Sequence, residues 1–208
     1  MHFAEFKRVE PDLLDALLRR FASKAAYTLH SDVLPFLTKL DSYRRRHARH
    51  FFLAPAVASG SDLSCLSVLR ALGVLSLGEL GGNGPGLERG GLAEVYTTWE
   101  VEREKRDPRF WEEVRRMVSE ESEAQGGRAV GSGEILVVGD DLRDDYLVPR
   151  EAGFRALLLR RPPNADGEKA VQALHSLGKP EAEEKAEKVL SLVDVVEYLK
   201  RVNQEEML

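Results

Sequence analysis

The segment 139–145, "GDDLRDD", places four carboxylates within six residues, directly after the apolar run "ILVVG" (135–139). Four aspartates so close cannot all point inward without severe like-charge repulsion. A hard divalent cation such as Mg2+ needs only one or two carboxylates and takes water and phosphate oxygens as its other ligands. Asp140 and Asp145, across one turn, are the pair able to reach one ion directly or through water, and Gly139 lets the backbone approach closely. The same turn serves equally well as a helix start, with Asp144 or Asp145 capping and the others solvated, and the turn alone leaves both readings open. Two further segments carry compatible chemistry. The hydroxyl of Ser59 and the amide of Gly60 could hold a phosphate oxygen, because loop amides form an anion nest. Ser59 could instead cap the helix that follows at 62. Lys105 could neutralise a phosphate or a carboxylate with its compact ammonium, or be one surface lysine among many.

These residues must be positioned by the elements around them. "PDLLDALLRRFA" (11–22) reads as an amphipathic helix with Leu13, Leu14, Leu17, Leu18 and Phe21 on one face. A second helix near 31–41 buries Val33, Leu34, Leu37 and Leu40, and the basic run "YRRRHARH" (43–50) suits a solvated helix end or an anion or nuclear-import patch. "FFLAPAV" (51–57) reads as a buried strand, 62–73 as a helix, and "LGGNGPGLERGG" (80–91) as a flexible surface excursion. "AEVYTTW" (93–99) reads as a strand. "DPRFWEEVRRMV" (107–118) reads as a helix capped by Asp107 with Pro108 at its first position. A loop is expected over 119–133 and a loop with some helix over 162–187. "ILVVG" and "RALLLR" (155–160) are near-continuous apolar runs, as in strands covered on both faces. "SLVDVVEYLKRV" (191–202) closes as a helix, with Ser191 and Asp194 at capping-box spacing. Strands alternating with helices predict an α/β domain with a mostly parallel sheet. In such sheets ligands bind outside the carboxyl ends of the strands, where Ser59, Lys105 and the acidic turn all fall.

Composition bounds the remaining classes. The 208 residues, 43% hydrophobic and 31% charged with both signs mixed, are ordinary for a globular protein. The net charge of −5 offers no global attraction to nucleic acid or anionic lipid. The single Cys65 excludes an internal disulfide framework and a multi-cysteine zinc site. No apolar run reaches membrane-spanning length, and "MHFAEFKRVEPDLLD" lacks the apolar core of a secretory signal. The expected location is cytosolic or nuclear, without a membrane partner.

Three segments together carry a resemblance. "VASGSD" (57–62), "YTTWEVEREKRDPRFWEEV" (96–114) and "ILVVGDDLRDDYLVPREAGFRALLLR" (135–160) resemble the second, third and fourth motifs of the haloacid-dehalogenase-like hydrolase superfamily, in order and at compatible spacing. The resemblance covers roughly residues 12–160. It implies a Rossmann-like parallel sheet flanked by helices and a phosphorylated small molecule as the ligand. It implies Ser59 and Gly60 on phosphate, Lys105 on phosphate and nucleophile, and Asp140 and Asp145 on Mg2+. Arg106 stands where the family pattern usually has proline.

The family's first motif, Asp-x-Asp-x-Thr/Val, is not found upstream of Ser59, so its nucleophilic and acid/base aspartates have no counterpart. Residues 1–45 are expected to be a helical remnant of the cap with its linker helix, and 46–208 the core domain. By the resemblance the sheet lacks a strand between the strand before Ser59 and the strand before Asp140. Those two strands either pair directly or leave a gap that an oligomer or protein partner could fill. Three readings follow. The first is a family relative that binds metal and phosphate, impaired in catalysis and acting in binding or structure. The second is an active phosphohydrolase whose first motif comes from an upstream segment or a partner chain. The third is a non-enzymatic α/β interaction module.

Overall fold

The computed structural model describes residues 11–47, 54–75, 92, 94–162 and 180–205. The glycine-dense segment 80–91, residues 48–50 of the basic run, residues 51–53 of the predicted first strand and most of 162–187 lie outside them. The order is α1 (Pro11–Phe21), α2 (Val33–His47), β1 (Ala56–Ser59), α3 (Ser64–Ala71), β2 (Glu94–Thr97), α4 (Thr98–Val101) and α5 (Pro108–Ala124). There follow β3 (Leu136–Gly139), a π-helical turn Leu142–Leu147, α6 (Val148–Glu151), β4 (Arg155–Leu159), α7 (Pro180–Glu184), β5 (Lys188–Val189) and α8 (Leu192–Glu205). No helix among the described residues is long and apolar enough to cross a membrane.

All strand pairings are parallel, as alternation with helices requires. They form two sheets: β1 with β2, and β3-β4-β5. No pairing joins β1 to β3 among the described residues, so the sheet is divided. The burial of the strands follows that division. Residues 95–97 of β2 and 156–159 of β4 are buried, whereas all of β3 is half-buried and β1 runs from exposed to half-buried. Among the described residues, the apolar run of β3 therefore has one hydrogen-bonding edge on β4 and no strand on the other.

Side chains alternate across β3 and β4 as a pleated strand demands. Ala156 and Leu158 pack with Leu142 and Tyr146, while Leu157 and Leu159 pack with Val189 and Val195 on the other face. Both faces of β4 are thus dry, which explains its unbroken apolar run. On the first face lie the π-turn, α6 and α5; on the second lie α8 and α2, joined through Leu40, Tyr43 and Val196. The helix α5 covers both sheets. Phe110, Trp111 and Val114, all nearly inaccessible, share one cluster with Tyr96 of β2 and Val148 of α6, against which Ala58 of β1 and Val137 of β3 pack.

Five expectations need correction, the first being the burial of Leu34, which is 54% exposed on α2. The helix α5 runs to Ala124, well past 118, because Arg116 pairs with Glu113 and Glu120 one turn apart and Ser119 exchanges hydrogen bonds with Val130 (2.8 and 3.1 Å). It stops at Gln125 and Gly126, whose φ of +82° suits glycine. The strand expected over 93–99 ends at Thr97, where a capping box with Glu100 starts α4. A short strand, β5, stands at Lys188–Val189, between the segment read as loop with some helix (162–187) and the helix read from 191, where no element is expected. The apolar stripe of α1 faces solvent: Leu13, Leu14, Leu17, Leu18 and Phe21 are 39–59% exposed.

One tie between distant segments was not visible in the sequence. Asp32, just ahead of α2, accepts from Arg161 Nε (3.0 Å) after β4, from the Leu192 amide (2.9 Å) and from Ser191 Oγ (3.4 Å) at the start of α8. It caps a helix remote in sequence and sits at the positive end of that helix. Burial alone would raise its carboxyl pKa, but the Arg161 and Leu192 hydrogen bonds and the guanidinium charge outweigh it, and the net shift is downward. Its folded-state pKa is thus depressed. Its stabilisation is complete above the unfolded value of roughly 3.9 and is lost as pH falls through the lower folded value. Asp32→Ala is expected to cost about 2–3 kcal/mol, because it strips charge-assisted hydrogen bonds from a half-buried arginine and a helix amide. In urea titrations the gap between wild type and variant should be constant from neutral pH down to about 4 and then narrow; a gap unchanged at pH 3 would contradict this.

Candidate functional site

The strand β1 ends at Ser59, half-buried, with Gly60 exposed after it. The Ser59 hydroxyl lies 2.7 Å from Ser61 Oγ and accepts from the Ser61 amide (3.2 Å). Asp62, rather than Ser59, meets the following helix, accepting from the Ser64 amide at 2.8 Å. Ser59 is therefore spared capping duty. The Ser61 carbonyl accepts from Thr98 Oγ1 (3.5 Å), tying this loop to the end of β2. An open depression of about 340 Å3 lies between them, lined by Gly60, Ser61, Asp62, Thr98, Trp99 and Arg103, among others.

Lys105 is delivered by the end of β2 through an unusual turn. The helix α4 ends at Glu102, the one non-glycine residue of positive φ (+54°) among the described residues, whose amide closes back on Thr98. A left-handed residue reverses the chain there at some cost in strain. Asp107 then caps α5 through the Arg109 amide (3.0 Å), with Pro108 at the first helical position. Between these fixed points the Lys105 carbonyl accepts from Trp111 Nε1 (2.9 Å), and its ammonium lies 5.6 Å from the centre of the Trp111 ring. The sequence reading did not assign Trp111 this anchoring role; an indole with a buried N–H, which needs an acceptor, is the signal that could have found it.

The ammonium ends on Asp145, forty residues further along the chain. Lys105 Nζ donates to Asp145 Oδ1 in a largely buried pair, and Asp145 Oδ2 accepts from the Asp141 amide at 3.2 Å. Gly139 makes room for that carboxylate: a Cβ there would collide with the Asp145 side chain. Asp141 starts the π-helical turn, accepting from the amides of Arg143 (2.8 Å) and Asp144 (2.7 Å). Asp144 lies 3.9 Å from Arg106, and burial together with the neighbouring Asp141 charge pushes its carboxyl pKa up. The Asp140 side chain is exposed, while its carbonyl accepts from Arg160.

The four aspartates thus divide their work, which is how so much charge shares one turn. The structure brings Lys105 and Asp145 into contact, places Ser59 and Gly60 at the end of the neighbouring sheet, and leaves the Asp140 carboxylate open to solvent. Among the described residues no group of three or more His, Cys, Asp or Glu side chains is arranged to hold a metal ion. Asp140 and Asp145 are hard oxygen donors of the kind Mg2+ prefers, and two carboxylates are enough when water and phosphate complete the shell. They fit such an ion in donor chemistry, with Asp145 shared with Lys105.

The sequence matches no protein-family model and no curated protein. Among solved structures, the fold is similar to a crystal structure of a dehalogenase with an intermediate complex, at a TM-score of 0.51 and 18% identity. The match covers 90% of this chain and 63% of that one, so the chain spans under two thirds of that protein's length. At this identity the likeness concerns the fold: parallel sheets flanked by helices, of the haloacid-dehalogenase-like and Rossmann-like kind.

The Lys105–Asp145 pair has a testable energetic signature. Asp145→Ala removes the partner of a nearly buried ammonium and the acceptor of the Asp141 amide, and is expected to cost about 2–4 kcal/mol. Gly139→Ala should cost about 1–3 kcal/mol by forcing the carboxylate aside. Because Asp145→Ala keeps the Cβ that a Gly139 methyl would also meet, the cycle uses Asp145→Gly, and the Gly139→Ala/Asp145→Gly double variant should cost clearly less than the sum of its two singles. Strict additivity in equilibrium unfolding would show that Gly139 does not serve Asp145.

Proposed function

We propose that the carboxyl ends of β1, β2 and β3 form a binding edge for a phosphorylated small molecule and Mg2+. In this reading the chain is a relative of the haloacid-dehalogenase-like hydrolases that binds rather than turns over its ligand. The observation that carries the reading is the largely buried Lys105–Asp145 pair, which joins the loop after β2 to the turn after β3 at the edge where parallel α/β sheets take ligands.

Each residue has a distinct role in this reading. Ser59 and the Gly60 amide hold phosphate oxygens, and Lys105 supplies a compact positive charge to the same group. Asp140 and Asp145 hold the cation, which when bound offsets phosphate charge and orients its oxygens. Trp111 fixes Lys105 by its backbone, so the ammonium is presented without a large ordering cost. Covalent phosphoryl transfer also needs an attacking carboxylate. The turn's other two aspartates are engaged, Asp141 as a cap and Asp144 beside Arg106. This supports a binding or structural role, with weak or absent turnover.

A second reading is favoured by the divided sheet. A strand laid between β1 and β3 would satisfy the open edge of β3 and cover its half-buried apolar residues. Were that strand to end in Asp-x-Asp, supplied by an upstream segment or another chain, its carboxylates would complete a hydrolase centre.

The test is a thermal melt with Mg2+, inorganic phosphate, and both. Ligands of the folded state raise Tm by mass action, and the combination should raise it more than either alone. Lys105→Ala and Asp145→Asn should abolish the added shift, and Ser59→Ala should reduce it. No shift under any condition would overturn the binding site. With p-nitrophenyl phosphate and Mg2+ the chain is expected to show no turnover that Lys105→Ala removes. Turnover dependent on Lys105 and gained only with an added Asp-x-Asp strand would favour the second reading.

A further inference from the structure

Trp99 is the most exposed large apolar side chain among the described residues, at 67%. The local fold gives the reason. Thr97, fully buried, starts α4 through its capping box with Glu100, and Val101 is buried one turn later. Both face the core, so Trp99, midway between them, lies roughly 200° round the helix and points outward. Its mount is tied to the neighbouring loop, because the Thr98 hydroxyl donates to the Ser61 carbonyl (3.5 Å). Thr97 also stands opposite Ser59 in the sheet. The indole therefore lines the same depression of about 340 Å3 as Gly60, next to the serine that ends β1. An indole is costly to leave in water, and one held at the rim of a depression is a contact surface for a ligand.

We propose that this depression seats the cationic head of a phosphomonoester of the phosphocholine kind, with its phosphate on Ser59 and Gly60 and its ammonium over Trp99. The proposal rests on the phosphate-binding reading above and adds the class of ligand to it. The charge of the lining chooses that class. The carboxylates of Asp62, Glu102 and Glu104 stand there against one guanidinium, that of Arg103, which lies 3.7 Å from Asp107. Glu104 lies 3.0 Å from Arg106, so Asp62 and Glu102 carry most of the unbalanced negative charge. A cleft lined by one sign of charge concentrates the opposite sign. A second phosphate or a carboxylate on the ligand is repelled here. A cation gains twice, from the carboxylates and from the π face of the indole. A quaternary ammonium suits the place best: it has no N–H that must find an acceptor, and its methyl groups lie against the ring.

The experiment is isothermal titration of the whole chain, with Mg2+ present, by three probes: inorganic phosphate, phosphocholine, and 3,3-dimethylbutyl phosphate. The last has the shape of phosphocholine with carbon in place of the charged nitrogen, so the ratio of the two Kd values isolates the cation. Phosphocholine should bind at least tenfold more tightly than its uncharged isostere. Trp99→Leu should bring that ratio close to one, and Trp99→Phe should keep part of it, since a phenyl ring retains a weaker π face. Glu102→Gln should lower the ratio a few-fold. The Tm of Trp99→Leu should match wild type, because the ring faces solvent, which separates loss of the contact from loss of the fold. Equal affinity for phosphocholine and the isostere overturns the proposal, and so does a preference that survives in Trp99→Leu. If either result comes with binding of inorganic phosphate, the proposal falls and the phosphate edge stands. If none of the three probes binds, both fall.

Discussion

The two parallel sheets of this protein share no strand pairing among the described residues, and what joins them is the packing of α5. Phe110, Trp111 and Val114 are almost wholly withdrawn from solvent, and their cluster takes in side chains from β1, β2, β3 and α6. A hydrogen-bonded sheet fixes the relative position of its strands by direction as well as distance. Side-chain packing fixes it by volume alone, through contacts that are individually weak and collectively large. The geometry of the candidate site depends on that packing, because Ser59 rides on one sheet and Asp145 on the turn that follows the other. Lys105 belongs to the first sheet by sequence and to the second by its ion pair.

The aromatic contacts of α5 extend the same constraint. Phe110 and Trp111 meet edge to face at 5.2 Å, and Trp111 meets Phe154 at 5.8 Å. Trp111 therefore faces the core with its ring and the site with its N–H. The lysine carbonyl it holds is the point at which core packing becomes site geometry. An indole used in this way serves stability and positioning together, so the two are coupled at this residue.

Much of the fold could be read from the residues. The dry strand β4 was visible as "RALLLR", the start of α5 as Asp107–Pro108, and the alternation of strands and helices as a parallel α/β arrangement. What escaped has physical causes. The extension of α5 rests on ion pairs one turn apart and on Ser119 reaching Val130, in a segment whose serines and glycines read as loop. β5 is two residues long, too short for any periodicity. The Asp32 tie spans 129 residues to Arg161 and 160 to Leu192, and a short polar residue carries no mark of which distant amide it will meet. At the candidate site, sequence separation likewise hid the Lys105–Asp145 contact. The choice among the four aspartates depended on backbone geometry that only the folded turn supplies: Asp141 had the amides of Arg143 and Asp144 within reach.

The chain's two tryptophans occupy opposite environments: Trp99 is 67% exposed at the mouth of the depression beside Gly60, and Trp111 is 2% exposed beneath Lys105. Its intrinsic fluorescence is consequently a sum of two separable signals. The exposed indole emits from a watery environment and is open to dissolved quenchers, while the buried one emits from a dry environment and is shielded. One fluorophore watches the entrance of the strand-end edge and the other its foundation. Events at the surface and events in the packing that holds the two sheets together therefore carry different colours in one spectrum.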